Sequence, residues 1–121
     1  MRKAAPSPAK EAVKTTSTSL WLPNDQVHLI KEAQSASSQL WPEWISNAIR
    51  HFMKEPPEEI EALLQSWVRG REHKTKINVR ITNTCLEEID QLCARVPDSS
   101  KQACLQHALY IHALRCLLPK S

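Results

Sequence analysis

Hydrophobic residues keep two different periods along this chain, and each change of period marks an element. In KINVRIT (76–82), Ile77, Val79 and Ile81 alternate with Lys76, Asn78 and Arg80. That is the period-2 pattern of a strand with one buried face. A second alternating run, STSLWLP (17–23), is closed by Pro23. These runs predict strands over Thr18–Leu22 and Ile77–Ile81. The remaining apolar residues recur every three or four positions, as on one face of a helix. NDQVHLIKEAQ (24–34) aligns Val27, Ile30 and Ala33, with Asn24 as a plausible cap. LWPEWISNAIRHFMK (40–54) aligns Ile45, Ala48, Ile49 and Phe52 behind Pro42 in the first turn. EPPEEIEALLQSWVRGRE (55–72) aligns Ile60, Leu63, Leu64, Trp67 and Val68, with Gly70 placed to end it. NTCLEEIDQLCARV (83–96) aligns Leu86, Ile89, Leu92 and Val96. After a PDSS turn, KQACLQHALYIHALRCLL (101–118) is amphipathic until Pro119.

The order strand, helix, helix occurs twice. At an offset of 59, Leu20 matches Val79, Leu22 matches Ile81, Asn24 matches Asn83, and Val27, Ile30 and Ala33 match Leu86, Ile89 and Leu92. One extra residue in the turn makes the offset 60, and Ile45, Ala48 and Ile49 then match Leu105, Ala108 and Leu109. Identity is low, but apolar positions coincide almost throughout. A lone strand cannot satisfy its backbone groups. Two copies supply two strands that pair antiparallel, with Leu20, Leu22, Ile77, Val79 and Ile81 facing the helices. The expected fold is mainly α with a two-stranded antiparallel β-ribbon, two fused repeats forming one pseudo-dimeric domain. Its parts are a flexible basic tail (1–16), a first repeat (17–54), a helical connector (55–75) and a second repeat (76–118). The copies complete each other, so a monomer is expected.

Composition narrows the function. The chain has 121 residues, 41% hydrophobic, with a net charge of +3. This mild basicity permits a nucleic-acid partner without demanding one. A single glycine excludes Gly-rich phosphate loops. No apolar run reaches membrane-helix length, and no secretory segment follows Met1. Cys85, Cys93, Cys104 and Cys116 form no C-x-x-C pair and read as reduced, mostly buried thiols, so a cytoplasmic location is expected.

The pattern INVRIT-NTCLEEIDQLC…DSSKQACLQHAL (77–109) resembles the ribbon-helix-helix family of bacterial DNA-binding proteins, and SLWLPNDQVHLI…LWPEWISNAI (19–49) is a looser match. Two copies in one chain resemble the T-DNA transfer enhancers encoded in the virC operon of tumour-inducing plasmids, and more distantly the TraY-type conjugation accessory proteins. The resemblance implies a partner, double-stranded DNA, entered by the ribbon at its major groove. It implies base reading by Lys76, Asn78 and Arg80 from the second copy and by Ser17, Ser19 and Trp21 from the first. Trp21 would pack on a thymine methyl or sugar, or rest on the protein surface. It also implies phosphate contact at the start of each second helix: Ser99, Ser100 and Lys101 in one copy, and the region of Ser38, Gln39, Leu40 and Trp41 in the other, where Pro42 lacks an N–H. Lys74, Arg69 and Arg71, with Arg2, Lys3, Lys10 and Lys14 of the tail, add sequence-independent charge. With different readers on the two strands, the preferred site is expected to have one specified and one degenerate half.

Other chemistries fit less well. Cys104, His107, His112 and Cys116 share one predicted helix and suggest zinc, but 104 and 112 lie about 80° apart around its axis, so four such ligands cannot converge. Trp44 and Trp67 read as core and connector packing. No metal, cofactor or catalytic residue is expected, and no enzyme activity, because so small a ribbon-and-helix domain offers little cavity. The expected role is accessory: marking a transfer origin or border and assisting a relaxase or other DNA-processing proteins. The alternatives are a repressor or antitoxin on the same fold, or a protein-interaction scaffold. An antitoxin is expected to extend past its core, whereas LLPKS follows the last helix directly.

Overall fold

The computed structural model describes residues 14–66 and 72–117. Strand β1 (Thr15–Pro23) leads into α1 (Asn24–Ala36), α2 (Trp41–Phe52) and α3 (Pro57–Gln65). Strand β2 (Lys74–Thr82) leads into α4 (Asn83–Ala94) and α5 (Lys101–Leu117). Among the described residues there are thus five helices and one two-stranded antiparallel sheet. Trp67, Val68 and Gly70 of the expected connector helix, most of the basic tail, and Pro119 lie outside the described residues.

Both strands are longer than the alternation predicts. Thr15 and Thr16, expected in the tail, pair with Thr82 and Ile81. Lys74 and Thr75, expected in the connector, pair with Pro23 and Leu22. Threonine is comfortable in extended backbone, so polar strand ends carry no hydrophobic signal yet pair readily. The alternation itself holds: Leu20, Leu22, Ile77, Val79 and Ile81 are buried, and the residues between them face outward.

Beneath the ribbon lies one core. Val27, Ile30 and Ala33 of α1, Ile45, Ala48, Ile49 and Phe52 of α2, and Ile89 and Leu92 of α4 enter it as their spacing predicts. From α5, Ala103, Cys104, Leu105, Ala108, Leu109 and Ala113 join them. Leu86 is only partly buried, and its neighbour Cys85 fills the core instead. Trp44 is wholly buried, edge-on to Trp41 with ring centroids 5.9 Å apart. Helix α3 adds Ile60 and Leu64, and Gln65 Nε2 donates to the Pro97 carbonyl of the α4–α5 turn.

The junctions between strands and helices are fixed by hydrogen bonds that recur 59 positions apart. The Asn24 amide donates to the His73 carbonyl, and the Asn83 amide to that of Lys14, both at 2.9 Å. Thr75 Oγ1 donates to Asn24 Oδ1, and Thr16 Oγ1 to Asn83 Oδ1, both at 2.6 Å. Asn24 therefore ties the strand to the helix and does not cap α1, whose N-cap is Pro23 with no side-chain bond. Thr82, by contrast, caps α4 by accepting from the Cys85 amide. The α1–α2 and α4–α5 turns each hold a left-handed residue, Ser38 and Asp98, both with φ of 62°. Asparagine, aspartate and serine in tight turns bear this conformation better than β-branched residues do.

The polar members of the core are few. Burial pushes the Cys85 thiol up to about 11, helped by Glu88, while a hydrogen bond from Ser46 opposes the shift. Burial also raises the Cys104 thiol. Both thiols stay protonated near neutral pH and behave as small apolar groups. Of the other two, Cys93 is partly buried and Cys116 is exposed, so only half of the set is fully interior. His112 lies against Trp44, with centroids 4.9 Å apart, and its Nδ1 is 3.4 Å from His51 Nδ1. Burial, then His51 and Arg115, hold the His112 imidazolium below the usual 6.5. Burial does the same to His107.

Two outcomes follow from this packing. Ile81→Ala removes a fully buried side chain beneath the ribbon and should cost about 2–5 kcal/mol, seen as a lower urea midpoint at unchanged slope. The depressed histidines make the folded state bind fewer protons than the unfolded chain. Stability is therefore full above the unfolded histidine value and falls as pH drops below about 6.5 toward the lower folded value. Thermal unfolding should show the midpoint decreasing over that window, with a smaller decrease in His112→Gln.

Candidate functional site

The antiparallel register decides which side chains share the outer face of the ribbon. Ser17 lies opposite Arg80, Ser19 opposite Asn78, and Trp21 opposite Lys76. Ser17, Ser19, Lys76, Asn78 and Arg80 are exposed and Trp21 is half-buried. All six residues expected as base readers therefore lie on one surface. The register also divides the expected readers by end of the ribbon rather than by strand. Each end of an antiparallel ribbon carries side chains from both strands. Arg80 stands with Ser17 at one end, Lys76 with Trp21 at the other, and Asn78 with Ser19 in the middle. Each end thus has one cation and one neutral partner.

Several of these side chains are oriented before anything binds. Arg80 donates from Nε to Thr15 Oγ1 at 2.7 Å and from Nη2 to the Thr15 carbonyl at 3.1 Å. The guanidinium is held along the strand, with its Nη1 edge not engaged by Thr15. Ser19 Oγ donates to Asn78 Oδ1 at 2.8 Å, which turns the amide so that its NH2 group remains to donate elsewhere. Thr15 was not legible as a partner, because its contact with Arg80 spans 65 positions.

At one flank of the ribbon lies the start of α5. Ser100 Oγ accepts from the Ala103 amide at 3.1 Å, as a helix cap does. Ser99 turns inward instead, donating from Oγ to the carbonyls of Val96 and Cys93 at 2.7 and 3.0 Å. Its hydroxyl proton is committed within the turn, as is its amide, which donates to the Val96 carbonyl at 3.4 Å. Lys101 Nζ is 3.3 Å from Asp90 Oδ1, with both side chains more than half exposed. So exposed a pair is worth at most about 1 kcal/mol and leaves the ammonium able to exchange partners. Lys74 begins β2 beside Pro23, and burial lowers its ammonium below the usual range.

The matching terminus, at the start of α2, is chemically different. Its N-cap is Leu40, 78% exposed and without a side-chain cap, and Pro42 occupies the first turn. Ser38 takes the left-handed turn position. The turn is closed on itself by Ser37 Oγ, which accepts from the Gln39 amide, and by Gln34 Nε2, which donates to the Gln39 carbonyl. The two termini are therefore not equivalent anion sites. Lys14 is exposed at the start of the described chain, while Arg2, Lys3, Lys10, Arg69 and Arg71 lie outside the described residues.

Cys104, His107, His112 and Cys116 all lie on α5. Among the described residues, no three His, Cys, Asp or Glu side chains are grouped to hold a metal ion. His112 Nε2 faces Cys116 Sγ at 3.8 Å while its Nδ1 faces His51. A contact missed by sequence reasoning is Gln102, whose Nε2 donates to the Trp21 carbonyl at 2.6 Å while its Oε1 accepts from the Trp21 amide at 3.1 Å. No helix among the described residues is long and apolar enough to cross a membrane. In comparisons with known proteins, no family model, curated protein or solved structure matches this chain.

Proposed function

We propose that this chain is a sequence-preferring, double-stranded DNA-binding accessory protein, a tandem ribbon-helix-helix unit folded as an intramolecular pseudo-dimer. One observation carries the reading: a two-stranded antiparallel ribbon presents Lys76, Asn78 and Arg80 outward from the core. Such a ribbon fits a DNA major groove. Arginine suits the O6 and N7 acceptors of guanine, asparagine suits the N6 and N7 edge of adenine, and lysine reaches guanine or phosphate.

Support for the tandem reading comes from the hydrogen bonds. The ribbon pairs Ser19 with Asn78, residues matched by the 59-residue offset. An antiparallel pair that aligns matched residues has a two-fold axis through that pair. The strand–helix bonds of Asn24 and Asn83 recur about this axis, as do the left-handed Ser38 and Asp98 at the offset of 60. On this reading the Lys101 end of α5 meets phosphate through its amides. The apolar Leu40 end of α2 gives a weaker contact. We assign the protein to the assistance of conjugative or T-DNA transfer, where it would present an origin- or border-proximal site to a relaxase or its helpers. Fragments selected from the source genome should then cluster beside a transfer origin rather than at promoters.

Titration against the duplex most enriched from a randomised pool, and against its scrambled form at two salt concentrations, tests the ribbon. Arg80→Ala should cost about 1–3 kcal/mol on the enriched duplex and Ser19→Ala under about 1 kcal/mol. Lys101→Ala should weaken both duplexes alike. Because the cations stand at opposite ends, Arg80→Ala and Lys76→Ala should relax preference in different halves of the site. Equal losses for Ser19→Ala and Arg80→Ala, or no loss for either, would exclude the ribbon as the reading surface. Sedimentation at micromolar concentration should give a mass near 13.8 kDa, and a dimer persisting on dilution would refute the intramolecular pseudo-dimer.

A further inference from the structure

The two ends of the ribbon are braced differently. At the Trp21–Lys76 end, Gln102 holds both backbone polar groups of Trp21 through its side-chain amide. Those groups point away from β2, because the amide of Asn24 and its even-numbered neighbours make the ladder bonds. Gln102 is the second residue of α5, next to Lys101. One short amide therefore joins the start of that helix to the edge of the reading surface. The other end lacks this joint. The residue matched to Trp21 is Arg80, and the residue matched to Gln102 is Pro42, whose side chain has no hydrogen-bonding group. There the strand is instead met by Ser46 Oγ, 3.3 Å from Thr82 Oγ1.

The chemistry of the braced end is also distinct. An indole and an ammonium stand side by side in a pair whose backbones make no ladder bond, where side chains approach most closely. An indole has no acceptor, and its flat apolar surface suits the one apolar feature of the major groove, the thymine methyl. Such contact needs the ring held at a fixed height, because van der Waals attraction decays steeply with a small gap.

We propose that Gln102 is a positioning residue that sets the height of Trp21, and that this end of the ribbon reads a thymine methyl in bound duplex DNA. The inference rests on the DNA-binding reading above. It assigns the two ends different preferred bases: guanine at the Arg80 end, and thymine beside a lysine-contacted base or phosphate at the Trp21 end.

The probe is the duplex most enriched from a randomised pool by the wild-type chain, with each thymine replaced in turn by deoxyuridine, which removes only the methyl group. At one position the wild type should lose about four-fold in affinity, the worth of one buried methyl. Gln102→Met should bind the unmodified duplex more weakly by a similar factor and should not distinguish thymine from deoxyuridine at that position. Trp21→Ala should do the same, and the double variant should be no weaker than Trp21→Ala alone, as expected for residues acting through one contact. If Gln102→Met alters the folded circular dichroism spectrum, Gln102→Glu carries the comparison, since it keeps the acceptor for the Trp21 amide and loses the donor to the carbonyl. A wild-type thymine preference retained in the folded Gln102 variant overturns the proposal, as do additive losses in the double variant. Enrichment without sensitivity to any deoxyuridine overturns it while leaving DNA binding intact. Failure of the wild type to enrich any duplex removes both readings together.

Discussion

Everything in this molecule depends on a hydrogen-bonded ladder between two strands that are far apart in sequence. Neither β1 nor β2 can satisfy its own backbone, and each is the other's only strand partner among the described residues. Their pairing creates an apolar sheet face, and the helices pack beneath that face because their own apolar stripes need a cover. It also creates the opposite face, where polar side chains are spaced by the strand repeat and held in a plane. The core and the candidate site are the two sides of one ladder. A one-residue slip of β2 against β1 would send Ile77, Val79 and Ile81 to solvent and bring Arg80 inward.

How much of this could be read beforehand follows from range. Patterns with a period of two or about 3.6 residues are local, so the burial of Leu20, Val79, Ile30 and Ile49 was legible. The outward face of Lys76, Asn78 and Arg80 was legible for the same reason. Where polar threonines extended the strands, the local signal was silent and the ends were missed. Cys85 displaced Leu86 from the core because one step along a helix turns about 100°, and the stripe's centre lay nearer the thiol. The register was harder still. Antiparallel pairing mixes the strands at each end, so Ser17 meets Arg80 and Trp21 meets Lys76. The contacts of Thr15 with Arg80, Gln102 with Trp21, and His51 with His112 span more than 60 positions. No local pattern announces them.

The starts of α2 and α5 show how similar backbones can carry different chemistry. Both follow a turn with a left-handed residue at the matched place, Ser38 or Asp98. One continues into Ser99, Ser100, Lys101 and Gln102, with a cap, a cation and a brace. The other continues into Gln39, Leu40, Trp41 and Pro42, with none of these. The left-handed turn residue occurs at both places, whereas the side-chain cap, the cation and the brace occur at one.

Both strands of the ribbon belong to a single chain, and this changes what a mutation can do. In an assembly of two identical chains every substitution is made twice, so an improvement at one end is forced on the other. Here each residue of the outer face occurs once. Inheritance can alter Trp21 without touching Arg80, and the partner strand is supplied at a fixed local concentration by the intervening chain. The two ends of the outer face are thereby free to diverge in chemistry while one ladder holds both strands in register.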